Sequence, residues 1–271
     1  VATFSYNSAI YCKTGANPVI TLNGSAGVFT STSGLSLNSS TGAIDLSLST
    51  AGNYTITNTI AAAGGCSSVT ATFAITITAP QVATFSYPGS PYCKTATNPN
   101  PVFSGGGVAG TFTSTTGLSI NATTGAINLS ASTAGIYTVT NTIPASGGCP
   151  TVIATAQVTI TNLPAATIAY SDAFYCYDNT GTQTVTLTGT SGGTFSASPS
   201  GLSISTTSGS FNVSTSAAGP YTVTYTMAAA GGCPQVTATT TFTIIPQINV
   251  QLTAVCVGPD FTITALPVAG S

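Results

Sequence analysis

The ionic and thiol chemistry of this sequence is confined to two lysines (Lys13 and Lys94), four aspartates (Asp45, Asp172, Asp178 and Asp260) and seven cysteines. Histidine and glutamate are absent, so almost nothing is left that could be tuned toward neutrality for general acid–base catalysis. Charged residues make up 2% of the chain, and two lysines cannot neutralise enough phosphates to hold a nucleic acid. A formal net charge of −2 offers nothing to an anionic membrane surface. The apolar residues lie in short pieces, without the ~18–20 in a row that a spanning helix needs. The expectation is a non-enzyme with no catalytic, cofactor-binding or metal-ligating residues, no cofactor, no nucleic-acid partner and no membrane insertion.

The cysteines remain. A closed metal site wants about four Cys or His ligands, and the chain has no His and no Cys-x-x-Cys. A catalytic thiolate wants a cationic neighbour. Lys13 and Lys94 follow Cys12 and Cys93, but Tyr177 follows Cys176. Structural disulfides are the better reading, and they place the chain in an oxidising compartment or outside the cell.

What positions the cysteines is a threefold repeat. Ala2-Thr-Phe-Ser-Tyr6, Ala83-Thr-Phe-Ser-Tyr87 and Ala166-Thr-Ile-Ala-Tyr170 each precede a Tyr-Cys pair, at Cys12, Cys93 and Cys176. Then come Gly34-Leu-Ser, Gly117-Leu-Ser and Gly201-Leu-Ser, followed by Ala-Gly-x-Tyr ending at Tyr54, Tyr137 and Tyr221, and last Gly-Gly-Cys ending at Cys66, Cys149 and Cys233. The period of about 83 residues is that of a small β-domain and not of a solenoid repeat. Roughly a third of the chain is Ser or Thr, and with 29 Gly and 15 Pro the bias is toward strand and turn. Regular Val, Ile, Leu, Phe and Tyr positions supply the core material that disordered chains lack.

In the first repeat, period-2 runs predict strands at Ala2–Tyr6, Val19–Leu22, Val28–Ser31, Leu35–Asn38, Ala43–Leu46, Tyr54–Ile60 and Val69–Thr78, with a turn at Asn38–Gly42. About seven short strands in ~80 residues predict an all-β chain of tandem immunoglobulin-like sandwiches. The boundaries read as 1–80, 81–163 and 164–245, with 246–271 opening a further, incomplete immunoglobulin-like domain of another subtype.

Gly117-Leu-Ser-Ile-Asn-Ala-Thr-Thr-Gly-Ala-Ile127, with Ser132-Thr-Ala-Gly-Ile-Tyr137 after it, resembles the turn-and-strand signature of bacterial immunoglobulin-like repeats. With the Tyr-Cys and Gly-Gly-Cys elements, residues 1–245 are similar to the tandem repeats of giant cell-surface adhesins exported by the type IX secretion route, among them gliding-motility adhesins. The resemblance implies a secreted, surface-exposed stalk. The third repeat departs from the pattern: Tyr177-Asp178 replaces Lys-Thr, and the Asn-Pro element of the early loop is missing.

With two cysteines at equivalent positions in each repeat, the economical pairing is Cys12–Cys66, Cys93–Cys149 and Cys176–Cys233, one bond per sandwich. Each would close a loop of about 55 residues and contribute roughly 4 kcal/mol through the unfolded chain. Cys256 has no equivalent and is unpaired within residues 1–271, its partner being expected beyond Ser271.

Tyr54, Tyr137 and Tyr221 resemble the tyrosine corner of sandwich domains, a structural role favoured over ligand stacking. Gly105-Gly106-Gly107 lacks the Lys-Ser/Thr ending of a phosphate loop, and four scattered aspartates do not form a calcium loop.

Three functions stay open. The first is the rod-like stalk of a surface adhesin, serving attachment or gliding, whose partners are the neighbouring repeats of the same chain. The second is a self-associating subunit of an extracellular filament or layer. The third is a carbohydrate-binding array, appended to a secreted enzyme, that contacts surface glycans.

Overall fold

Short alternating runs punctuated by Gly, Pro and Asn give strands and turns throughout, with no helix among the described residues. The computed structural model describes residues 1–177, 181–247, 250–257 and 260–267, the last two stretches as backbone strands only.

The first repeat comprises β1 (Phe4–Tyr6), β2 (Ile10–Cys12), β3 (Ile20–Leu22), β4 (Val28–Ser31), β5 (Ser36–Leu37), β6 (Ile44–Asp45), β7 (Gly52–Ile60) and β8 (Val69–Thr78). One sheet has the order β2-β8-β7-β4, with β2 parallel to β8 and the other neighbours antiparallel. β1 pairs with β3, and β5 with β6. This is the immunoglobulin arrangement, in which the opening strand belongs to one sheet and the next lies along the last strand of the other. Side chains from both sets meet in one core, including Phe4, Phe29, Leu46, Ile56, Ile75 and Ile77.

The second repeat follows with β9 (Phe85–Ser86), β10 (Tyr92–Cys93), β11 (Val102–Phe103), β12 (Thr111–Ser114), β13 (Gly135–Ile143) and β14 (Val152–Thr161), and has the sheet β10-β14-β13-β12. An isolated Ile120–Ile127 bridge replaces the β5–β6 pair. The third has β15 (Ala166–Ala169), β16 (Phe174–Cys176), β17 (Thr182–Gln183), β18 (Thr186–Gly189), β19 (Thr194–Ser198), β20 (Ser203–Ile204), β21 (Phe211–Asn212), β22 (Gly219–Met227) and β23 (Val236–Ile245), with the sheet β16-β23-β22-β19. Each repeat has its own apolar cluster. β24 (Val250–Val257) and β25 (Asp260–Pro267) form an antiparallel pair. By contacts the chain divides into two compact units, one of Val1–Tyr92 with Thr97–Ile160, the other of Cys93–Ala96 with Thr161–Ser271.

Alternation in β7 buries Tyr54, Ile56 and Asn58 on one face and turns Thr55 to water. The strand that sequence reading missed is β2. Ile10-Tyr11-Cys12 is only three residues long and looks like loop, yet it docks along β8 with Cys12 opposite Thr78.

That docking overturns the pairing of cysteines within repeats. Cys66 lies in a hairpin bridge to Ala63, just ahead of Val69, so the 10 residues of β8 separate it from the end that Cys12 occupies. At ~3.3 Å per residue the two thiols are ~30 Å apart, whereas a disulfide needs Cα atoms within about 7 Å. Cys176 and Cys233 are separated in the same way, with Cys176 opposite Ile245 and Cys233 ahead of Val236. Likewise, Lys94 N–H donates to Thr161 O at one end of β14, while Cys149 lies ahead of Val152 at the other. Among the described residues no sandwich is closed by its own bond. The backbone of Cys256 falls in β24, and its side chain lies outside the described residues.

Candidate functional site

The cysteines bond between consecutive repeats. Cys12 joins Cys149 and Cys93 joins Cys233, with Cα–Cα distances of 4.6 and 4.7 Å across sequence separations of 137 and 140. Among the described residues Cys66 and Cys176 are free and exposed.

Both junctions are built alike. On one side, the end of the short parallel strand lies beside the end of the repeat's last strand, fixed by Lys13 N–H to Thr78 O and Lys94 N–H to Thr161 O, both at 2.9 Å. On the other side is the Gly-Gly-Cys hairpin, closed by paired backbone hydrogen bonds between Ser146 and Cys149 and between Ala230 and Cys233. The hydroxyls of Thr78 and Thr161 donate to the carbonyls of Gly147 and Gly231, and each lies 3.4 Å from the adjoining sulfur of Cys149 or Cys233. A Cβ on Gly148 would sit 3.1 Å from Cys12 N and Tyr11 Cα, so the hairpin backbone reaches the strand because it has no side chain there. All four bonded cysteines are buried.

The three tyrosines of the Ala-Gly-x-Tyr motif lie inside the sandwiches. Tyr54 and Tyr137 donate to the carbonyls of Thr50 and Thr133 at 2.8 Å, and Tyr221 to that of Ala217 at 2.9 Å, always four residues upstream. Their hydroxyls also cover the Gly of Gly-Leu-Ser. Gly34, Gly117 and Gly201 have φ of +100°, +106° and +117°, and an added Cβ would lie 2.9–3.1 Å from the ring oxygen.

A second tyrosine series, Tyr6, Tyr87 and Tyr170, donates to the carbonyls of Gly42, Gly125 and Gly209. Burial, and next the neighbouring Tyr11, Tyr92 or Tyr175, pushes their phenols well above the ordinary value of about 10.

Sequence reading passed over two kinds of buried polar residue. Asn58 and Asn141 are fully buried. Each accepts a backbone N–H (Gly27 or Gly110, 2.8 Å) and donates to two carbonyls, Ala2 and Ser25 or Ala83 and Val108. In the third repeat Tyr225 serves instead, accepting from Gly193 N–H at 2.7 Å and donating to Thr190 O at 3.1 Å. Ser49, Ser132 and Ser216 each bridge a carbonyl four residues upstream to an N–H thirteen residues upstream. The sequence signal for the asparagines is strand parity, since they share a face with the tyrosine four residues earlier.

Among the described residues no group of three or more Cys, Asp or Glu side chains could hold a metal. An open cleft on the third repeat is lined by Phe174, Pro199, Tyr221, Thr222, Thr241 and Thr243 among others, which supply hydroxyls and an exposed Phe174 ring but no carboxylate, amine or thiol. No helix among the described residues is long and apolar enough to cross a membrane.

No family model matches the chain, and no curated protein matches it. Among solved structures it is similar to a titin I-band fragment, I67–I69, at 11% identity and TM-score 0.44, covering 91% of this chain and 99% of that one. It is similar to Drosophila N-cadherin EC1-4 at 8% identity and TM-score 0.38, covering 86% and 69%. A protocadherin gammaB7 EC3-6 cis-dimer structure is similar at 13% identity and TM-score 0.37, covering 94% and 77%.

Proposed function

We propose that this chain is a non-catalytic mechanical spacer of a large extracellular surface protein, an adhesin stalk whose repeats, 1–80, 81–163 and 164–245, are stapled to one another. The observation that carries this reading is the overlap of the two disulfides, Cys12–Cys149 and Cys93–Cys233. Force along the chain passes from Cys12 to Cys149, back along the backbone to Cys93, and across to Cys233. The shortest covalent path from end to end is then about 110 residues, or ~380 Å at ~3.5 Å per residue, against ~950 Å for the reduced chain. Sandwich strands resist extension and the bonds set where extension stops. The disulfides also support an oxidising, extracellular setting. Attachment or gliding on a type IX–exported adhesin is the finer form of this reading, and it rests on the repeat signatures.

Single-molecule stretching tests it. Cys149→Ser opens the first staple and lengthens the oxidised chain by about 25 residues (~85 Å), whereas a bond within the second repeat would release about 55. No change on full reduction would end the spacer reading.

A further inference from the structure

The first repeat carries a hairpin with nothing bonded to it. Ala63-Gly64-Gly65-Cys66 has the bridge of the two docked hairpins, Ala63 to Cys66. Its glycines stand at φ +60° and +84°, beside +55° and +75° for Gly147 and Gly148 and +58° and +76° for Gly231 and Gly232. In the docked copies, a Cβ on Gly147 would meet Thr78 at 2.6 Å and one on Gly231 would meet Thr161 at 3.0 Å. On Gly64 and Gly65 it would meet nothing within 4 Å. The hairpin is therefore already in its docked shape, with its outer face open and its thiol exposed.

The complementary half is also on this chain. In both junctions the hairpin cysteine bonds the end of a short parallel strand, Cys12 opposite Thr78 and Cys93 beside Thr161. The third repeat has the same edge, with Tyr175 opposite Ile244 and Cys176 opposite Ile245, and this thiol is exposed and unbonded.

We propose that Cys66 of one copy of this chain and Cys176 of a second copy close a disulfide that repeats the junction seen twice within the chain, joining the first repeat of one copy to the third repeat of the other. The proposal rests on the extracellular reading above, because it needs an oxidant. Cys176 thiolate attacks a small disulfide such as oxidised glutathione and expels one thiolate. Cys66 thiolate then attacks the Cys176 sulfur and expels the second. The two cysteines lose two protons and two electrons, and the oxidant leaves as two thiols. Since the halves differ, each addition leaves one of each at the ends, so a further copy can add. Ile245 stands where Thr78 and Thr161 supply the hydroxyl latch, so the junction between copies depends on the sulfur bond and comes apart in reductant.

The test is incubation of the full chain, with Cys256→Ser in every variant, in a glutathione redox buffer, followed by non-reducing electrophoresis and mass mapping of unreduced peptides. A ladder of oligomers linked Cys66–Cys176 is expected, collapsing to monomer in dithiothreitol. Cys66→Ser alone and Cys176→Ser alone stay monomeric, and an equimolar mixture of the two yields dimer and nothing larger. Ile245→Thr speeds formation of the ladder several-fold. Cys66–Cys66 or Cys176–Cys176 dimers, a ladder from either single variant, or no oligomer at all would overturn the proposal, as would a Cys176–Cys256 bond in the unaltered chain. The Cys12–Cys149 and Cys93–Cys233 bonds are read in the same maps, so loss of the spacer reading and loss of this one are separately visible.

Discussion

At the scale of single residues the chain replaces ionic chemistry with buried amides and hydroxyls. Asn141 satisfies three backbone groups at once. Asn141→Leu would strand one N–H and two carbonyls, and we expect a loss of about 3 kcal/mol in chemical denaturation. Tyr137→Phe removes one hydroxyl but leaves the ring in place, and we expect about 1 kcal/mol. The raised phenols of Tyr6, Tyr87 and Tyr170 set the pH response. A group whose folded pKa lies above its unfolded value of about 10 contributes its full stability below that pH and loses it as pH rises toward the folded value. Thermal scans should show a constant Tm from pH 6 to 9 and a fall above about pH 10. Asp45, held below the usual carboxylate range first by the Ser47 hydroxyl, is only partly buried, so its protonation in acid should move the Tm little. Sequence reading passed over the asparagines, although strand parity marks their positions. Their polar partners were not legible in the sequence, because those lie 31 to 58 residues away.

At the scale of elements the deciding piece is the strand of two or three residues that docks along the end of each last strand. Long runs such as Val69–Thr78 announce themselves by alternation, but Ile10–Cys12 is too short to show a period, and its pairing is decided by what it meets. The Gly-Gly-Cys hairpin is its counterpart. Gly148→Val would place a branched side chain against Cys12 and Tyr11, and we expect it to leave two additional free thiols, Cys12 and Cys149, countable by alkylation and mass spectrometry. Gly65→Val faces open space within the chain and should cost only the backbone strain of φ +84°, about 1–2 kcal/mol, leaving the Cys12–Cys149 and Cys93–Cys233 bonds intact.

For the whole molecule the disulfides convert a series of small cores into overlapping loops. Opening the 137-residue loop with Cys12→Ser should lower stability by about 5 kcal/mol on the chain-entropy account, read by denaturation of the units that contain it. With charged residues at 2% of the chain, Tm should differ little between low and molar salt.

From the sequence alone follow the all-β class, the threefold repeat, the tyrosine and glycine positions of each sandwich, and the scarcity of charged side chains. Each of these is written locally, in residue type or in period. The partners of the cysteines are not. Two cysteines per period of about 83 residues are satisfied equally well by a bond inside a repeat or to the next one, and sequence spacing is blind to that difference. Only the docking of a short strand at one end of a ten-residue neighbour, with the hairpin at the other, puts ~30 Å between the two sulfurs of a repeat and leaves them out of reach of one another.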